Sequence, residues 1–191
     1  MKRFLAALPL LVAGIAHADS AEWKLDLSHS SVGFSVPHLV ISSVDGRFKE
    51  ATAKIDLDDA DVTKSQVSVE INAASIDTGD QKRDEHLKSP DFFDAKKFPK
   101  LTFKSTKIVK AGAAYKLTGD LTIRDVTKSV TLDASRSAPV KTPWGNQARA
   151  AKLTGKIKRG DFGLKWNKAL ETGGVVVGDE VTINVKAEVT K

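Results

Sequence analysis

The chain has 191 residues, with 30 Lys and Arg against 24 Asp and Glu, and no cysteine. That length suits one domain with a proper core, and the missing thiols exclude a disulfide scaffold, a cysteine nucleophile and any Cys-ligated zinc or iron–sulfur site. Basic residues are interleaved with acidic ones instead of clustering, which argues against a nucleic-acid footprint.

In chain order, Lys2 and Arg3 precede an apolar stretch, Phe4 to Ile15, that ends in Ala16-His17-Ala18. A basic start, a short apolar run and small residues before the junction predict a secretory signal peptide over 1–18. Cleavage is expected after Ala18, leaving residues 19–191 as one β-barrel domain, and the bacterial style of the signal predicts the periplasm. The apolar run is shorter than the roughly 20 residues a spanning helix needs.

From there apolar residues recur at period two, the mark of half-buried strands. Val32, Phe34 and Val36 alternate with Gly33 and Ser35. Gly46 to Leu57 reads as one long strand; Val67, Val69 and Ile71 form the next, then Leu101 and Phe103. Leu117 to Ile123, Thr131 to Ala138, Leu153 to Ile157, Phe162 to Trp166 and Val181 to Val189 continue the rhythm. This predicts eight to ten strands, separated by Gly, Asp, Asn or Pro turns.

One region breaks the rhythm. Thr78-Gly79-Asp80-Gln81 resembles a capping box, opening a charged segment to Lys88 in which Asp84 and Lys88 stand four apart. Ser89-Pro90 reads as a second helix start, followed by Phe92, Phe93 and Phe98. One or two short helices are expected on a long connection.

These elements predict an all-β fold, an antiparallel up-and-down β-barrel of about eight strands. Long strands and short connections favour the barrel over a sandwich, and closure removes the edges an exported β protein must protect. Eight strands leave an interior that side chains just fill, or that holds one small ligand.

No catalytic centre is nominated. His29, His38 and His86 lack metal-ligand spacing and read as surface or rim histidines; Asp58, Asp59 and Asp61 read as a polar hairpin loop. No Gly-x-Ser-x-Gly elbow occurs, and Gly173, Gly174 and Gly178 lack the following helix of a phosphate loop. The aromatic residues are more informative. Trp23, Phe34, Phe48, Phe92, Phe93, Phe98, Phe103, Trp144, Phe162 and Trp166 are each explicable as core. Together, in a barrel without a catalytic set, they suggest a cavity for an apolar molecule.

The run His29-Ser30-Ser31-Val32-Gly33-Phe34-Ser35-Val36-Pro37-His38, continuing to Phe48, resembles the opening signature of the YceI family. Ser75 to Thr78, Arg83 to Asp94, Phe98-Pro99, Phe103 to Ser105 and Gly119 to Lys128 extend the similarity, and Asp161 to Leu164 and Gly178 to Val181 complete it. The resemblance covers nearly the whole mature chain. Asp125 departs from it, standing where the family commonly has glycine.

The resemblance implies a lipocalin-like barrel, periplasmic in bacteria and often a homodimer, that holds a polyisoprenoid such as a quinone or prenol tail. It attaches no enzymatic activity, catalytic residue, metal or cofactor. The expected lining is Val32, Phe34, Val36, Leu39, Val44, Phe48, Phe92, Phe93, Phe103, Leu121, Ile123, Phe162, Leu164, Trp166 and Ile183. Headgroup or rim candidates are His38, Arg83 and His86. An isoprenoid lipid and transient contact with a membrane are the expected partners. Two other readings compete: a lipid-modifying enzyme using His38 or His86 as general base, and a solidly packed barrel serving as an interaction module.

Overall fold

The computed structural model describes residues 21–171 and 173–191, so the expected signal peptide and its cleavage site lie outside the described residues. Eleven strands run in the order β1 (Ala21–His38), β2 (Ser42–Phe48), β3 (Ala51–Leu57), β4 (Gln66–Asn72), β5 (Ile76–Asp77) and β6 (Lys100–Ala111). They continue with β7 (Ala114–Ile123), β8 (Val126–Arg136), β9 (Val140–Lys141), β10 (Gln147–Lys158) and β11 (Glu180–Thr190). One α-helix, α1 (Gln81–Lys88), lies between β5 and β6. No helix among the described residues is long and apolar enough to cross a membrane.

Strands β1, β3, β4, β6, β7, β8, β10 and β11 follow one another around the wall, and pairing of β11 with β1 closes it. The result is an eight-stranded antiparallel barrel in up-and-down order, as the strand spacing predicts. Strands β2 and β5 extend it beside the second half of β1, and β9 pairs only with β10. The end of the barrel carrying β2, β5 and α1 is called here the helix end; the opposite one, where β1 begins and β11 finishes, is the far end.

Phase explains where the continuous strands of the sequence reading break. In β1, Trp23 and Leu25 face inward at odd positions, but Val32, Phe34 and Val36 do so at even ones. An irregularity between Asp26 and Ser31 absorbs the change, held by Ser30 Oγ accepting from the Glu188 amide at 2.9 Å. The expected single strand over 46–57 is likewise two. Phe48 and Ala51, three apart, are both buried. The chain therefore leaves the sheet at Lys49 and Glu50, whose amides donate to the Ser75 carbonyl and hydroxyl.

The helical region is also corrected. Asp80, not Thr78, caps α1, its carboxylate accepting from the Arg83 amide at 2.9 Å. Asp84 turns back to bind the Thr78 amide and hydroxyl, so Lys88 pairs with Glu85 instead. Ser89 ends α1 rather than starting a second helix; the Phe92 amide donates to its carbonyl and the chain turns.

Phe162, Leu164 and Trp166 do not form a strand. Residues Arg159–Phe162 make a 3-10 turn that ends at Gly163, whose φ of 77° suits glycine. In the β7–β8 hairpin the left-handed residue is Arg124, φ 59°, so the departure at Asp125 falls on a position that needs no positive φ. Trp144, read as potential core, is 87% exposed in the turn before β10.

Candidate functional site

The barrel encloses an apolar cavity of about 340 Å³, within the range of small-molecule sites. Alternation builds it, because every second side chain of each wall strand points inward. Of the residues expected there from the sequence, Val32, Phe34, Val36, Phe48, Phe92, Phe93, Phe103, Leu121, Ile123, Leu164 and Ile183 line it. Near the helix end the Phe34 and Phe48 rings lie 6.0 Å apart, and Phe48 meets Phe93 edge-on at 5.7 Å. Glycines make room for such rings. A methyl group at Gly46 would collide with the Phe34 ring, and one at Gly119 with Phe103.

Four expected lining residues lie elsewhere. Leu39 sits in the β1–β2 hairpin turn at φ 54° and Val44 opposite Val36, where that hairpin extends past the wall. Phe162, 2% exposed, and Trp166 belong to the packed cluster that closes the helix end.

The three headgroup candidates are not lining residues either. Arg83 directs its Nε and one terminal nitrogen to the Thr78 hydroxyl and carbonyl, both at 2.8 Å. His86 meets Phe92 and Trp166 edge-on and pairs with Asp91 at 2.9 Å. His38 bridges to Val177 through its backbone. All three stand outside the cavity lining, held by these local contacts.

The far half of the lining and its cations are not among the residues expected from the sequence. Leu25, Ile55, Leu57, Val62, Ile108 and Leu117 continue the apolar wall there. Three arginines also face the cavity: Arg159, Arg149 and Arg136. Arg159, at the helix end, is 6% exposed and fully used. Its Nε donates to Gly178, one terminal nitrogen to Leu164 and Trp166, and the other to Val177, all carbonyls, at 2.6–3.2 Å. Burial pushes its pKa down from the ordinary 12.5. Arg159 thus ties the 160–178 loop to the barrel, and its draw on those carbonyls explains why a strand-like sequence there is not a strand.

Arg149, at the far end, is 5% exposed, yet only one terminal nitrogen is paired, with Asp59 at 2.8 Å. Among the described residues its Nε and other terminal nitrogen are buried without partners, as are one terminal nitrogen of Arg136 and the Trp23 indole N–H. Arg149 lies 5.1 Å from the Trp23 ring and Arg136 5.8 Å from the Tyr115 ring. A buried unsatisfied donor typically costs about 1–3 kcal/mol, more when charged. The available signal was parity: Arg149 alternates in phase with Leu153 and Ile157, and Arg136 with Val130, Leu132 and Ala134.

Outside the barrel, Asp26, His29 and Glu188 bring ligand-type atoms within 4.8 Å of one another at the β1 irregularity. Asp26 and His29 are bonded to each other at 2.8 Å, the surface role the sequence reading gives His29.

A YceI-like domain matches residues 23–189 of the chain. A UPF0312 protein of Photorhabdus laumondii is 38% identical over 157 residues, 81% of this chain and 82% of the relative. The crystal structure of the Campylobacter jejuni YceI protein, 38% identical, superposes with a TM-score of 0.71 over 90% of this chain and 98% of the other. A polyisoprenoid binding domain from Saccharophagus degradans shares the fold at 14% identity and a TM-score of 0.59, over 87% of this chain and 97% of that one. On the match over 23–189 and the similarity to these relatives, the chain belongs to the YceI-like family.

Proposed function

We propose that this protein binds a long-chain polyisoprenoid, a quinone or prenol lipid, inside its barrel and carries it through the periplasm. The observation that carries this reading is the cavity, about 340 Å³ and lined by apolar side chains from one end of the barrel to the other. Family membership and the shared fold of the Saccharophagus degradans domain support the ligand class. The signal peptide expected over 1–18 supports export.

Binding, not turnover, suits the lining. Its ionisable side chains are cations and one tyrosine, with no carboxylate or imidazole among the described lining residues to serve as a general base. Energetics favour reversible carriage. Removing each CH₂ from water is worth about 0.8 kcal/mol, so a tail of about forty carbons would nominally exceed the ceiling of about 18–21 kcal/mol on non-covalent affinity. The tail starts from a membrane, however, where it is already in an apolar medium, so extraction is near neutral and set by cavity shape and headgroup contacts. Val40 and Ile41, 76% and 84% exposed at the β1–β2 tip, support brief contact with a membrane surface; a homodimer belongs to the same reading.

Protein purified from the periplasm without detergent is expected to release an isoprenoid lipid on organic extraction, identified by mass spectrometry. An empty barrel from every preparation would refute the carrier role.

A further inference from the structure

Two buried arginines face the same apolar cavity and are treated differently by the fold. Arg159 has a backbone carbonyl for each of its nitrogens and so serves as a structural tie. Arg149, equally buried, keeps its Nε and one terminal nitrogen unpartnered among the described residues. Fully buried polar groups are nearly always hydrogen-bonded, so donors left over in a cavity wall point to a bound partner.

Arg149 does not stand alone. Arg136 is directly opposite Ala151 in the β8–β10 pairing, and Ala151 is two residues from Arg149 on the same face. The two side chains are therefore diagonal neighbours on the inner wall. Arg136 also has a buried unpartnered terminal nitrogen and takes part in no ion pair among the described residues. Among the described residues, two guanidinium groups against the one paired carboxylate of Asp59, itself partly in solvent, leave one positive charge without an ion-pair partner at the end of an apolar cavity. The flanking rings of Trp23 and Tyr115 narrow the surroundings without supplying an acceptor.

We propose that the far end of the barrel is an anion-reading headgroup subsite, in which Arg149 and Arg136 bind the phosphate of a long-chain isoprenoid phosphate while its tail runs toward Phe34 and Phe48. The inference rests on the apolar-cavity reading and adds the headgroup chemistry, the direction of the chain and the residues that read it. A phosphate offers several acceptor oxygens and a charge, matching unused donors on planar guanidinium groups. The rim residues His38, Arg83 and His86 have no part in it.

The test compares geranylgeranyl phosphate with geranylgeraniol, which share one chain, on the delipidated mature protein by titration calorimetry. Wild-type protein is expected to favour the phosphate by about ten- to a hundredfold, from charge-assisted hydrogen bonds. Arg149→Met and Arg136→Met should each pull that ratio toward one, whereas Arg83→Met, outside the cavity, should keep it. If Arg149→Met fails to fold by thermal melt, Arg136→Met, on a less buried side chain, decides. Inorganic phosphate should compete only weakly; if it binds as tightly as the lipid phosphate, the site is a free-anion site and the headgroup assignment is overturned. Equal affinity for the alcohol and the phosphate overturns this proposal but leaves the cavity reading intact. Binding of neither lipid overturns both.

Discussion

Asp26 and His29 meet at the irregularity of β1, where the strand changes the face it buries. Hydrogen bonds from Ser28 and then His29 hold the Asp26 carboxyl well below its ordinary range, and the bond to Asp26, reinforced by the charge of Glu188, raises His29 above 6.5. The two act over opposite pH ranges. Stabilisation from His29 is complete below its unfolded value and is lost as pH rises through the raised folded one; that from Asp26 is present above about 3.8 and lost as pH falls. Asp26→Asn is therefore expected to weaken the fold most at mildly acidic pH, and to bring the His29 titration back toward 6.5 by NMR. A His29 titration that does not move would show that Asp26 does not set it.

Val40, in the turn of the β1–β2 hairpin, has a φ of 65° and 76% exposure. A branched residue in the left-handed region costs about 1–2 kcal/mol, and exposure leaves little packing to lose. Glycine removes that strain but adds about 0.5–1 kcal/mol of unfolded-state entropy. Val40→Gly should thus stabilise the protein by about 0.5–1 kcal/mol in urea denaturation. A loss of stability would mean that the valine side chain packs in solution.

At the scale of elements, Gly119 in β7 lets the Phe103 ring of the neighbouring β6 lie across the strand. An added methyl there would also meet the Lys104 backbone carbonyl, which cannot swing away as a side chain can. Gly119→Ala is expected to cost about 1–3 kcal/mol, the usual overpacking penalty, measured as a lower denaturation midpoint at unchanged slope. A neutral substitution would show that β6 and β7 separate easily. The same scale shows why period-two reading succeeds for β7, β8, β10 and β11, yet fails over Phe162 to Trp166. In those strands both backbone edges find a neighbour. Between Phe162 and Trp166 the carbonyls of Leu164 and Trp166 are instead taken by the Arg159 guanidinium.

For the whole molecule, the register of β1 divides wall from bore. Val36 lines the cavity, and Ser35, next to it, does not. A ring at position 36 can occupy space that a lipid tail would fill, so Val36→Phe should keep the fold and sharply reduce extractable lipid. Ser35→Phe should leave lipid content nearly unchanged. Lipid per protein, with thermal melts as the folding control, checks the pair; equal lipid in both would refute the cavity as the lipid's place.

The positions of most wall strands, inward parity within each and the closed barrel class follow from the sequence alone, because alternation is local and each strand carries its own apolar face. Most of the helix-end lining is legible for the same reason. What only the tertiary structure decides is phase between segments and the fate of buried polar groups. The shifts between Asp26 and Ser31 and at Lys49–Glu50 depend on which neighbour each half-strand meets. Arg149 and Arg159 look alike in the sequence, one arginine in a β-rich run and another just beyond it. The folded barrel surrounds Arg159 with carbonyls from a distant loop and, among the described residues, leaves two nitrogens of Arg149 unpaired. A hydrogen bond is short and directional, so its partner exists only once chain segments far apart in sequence are brought together.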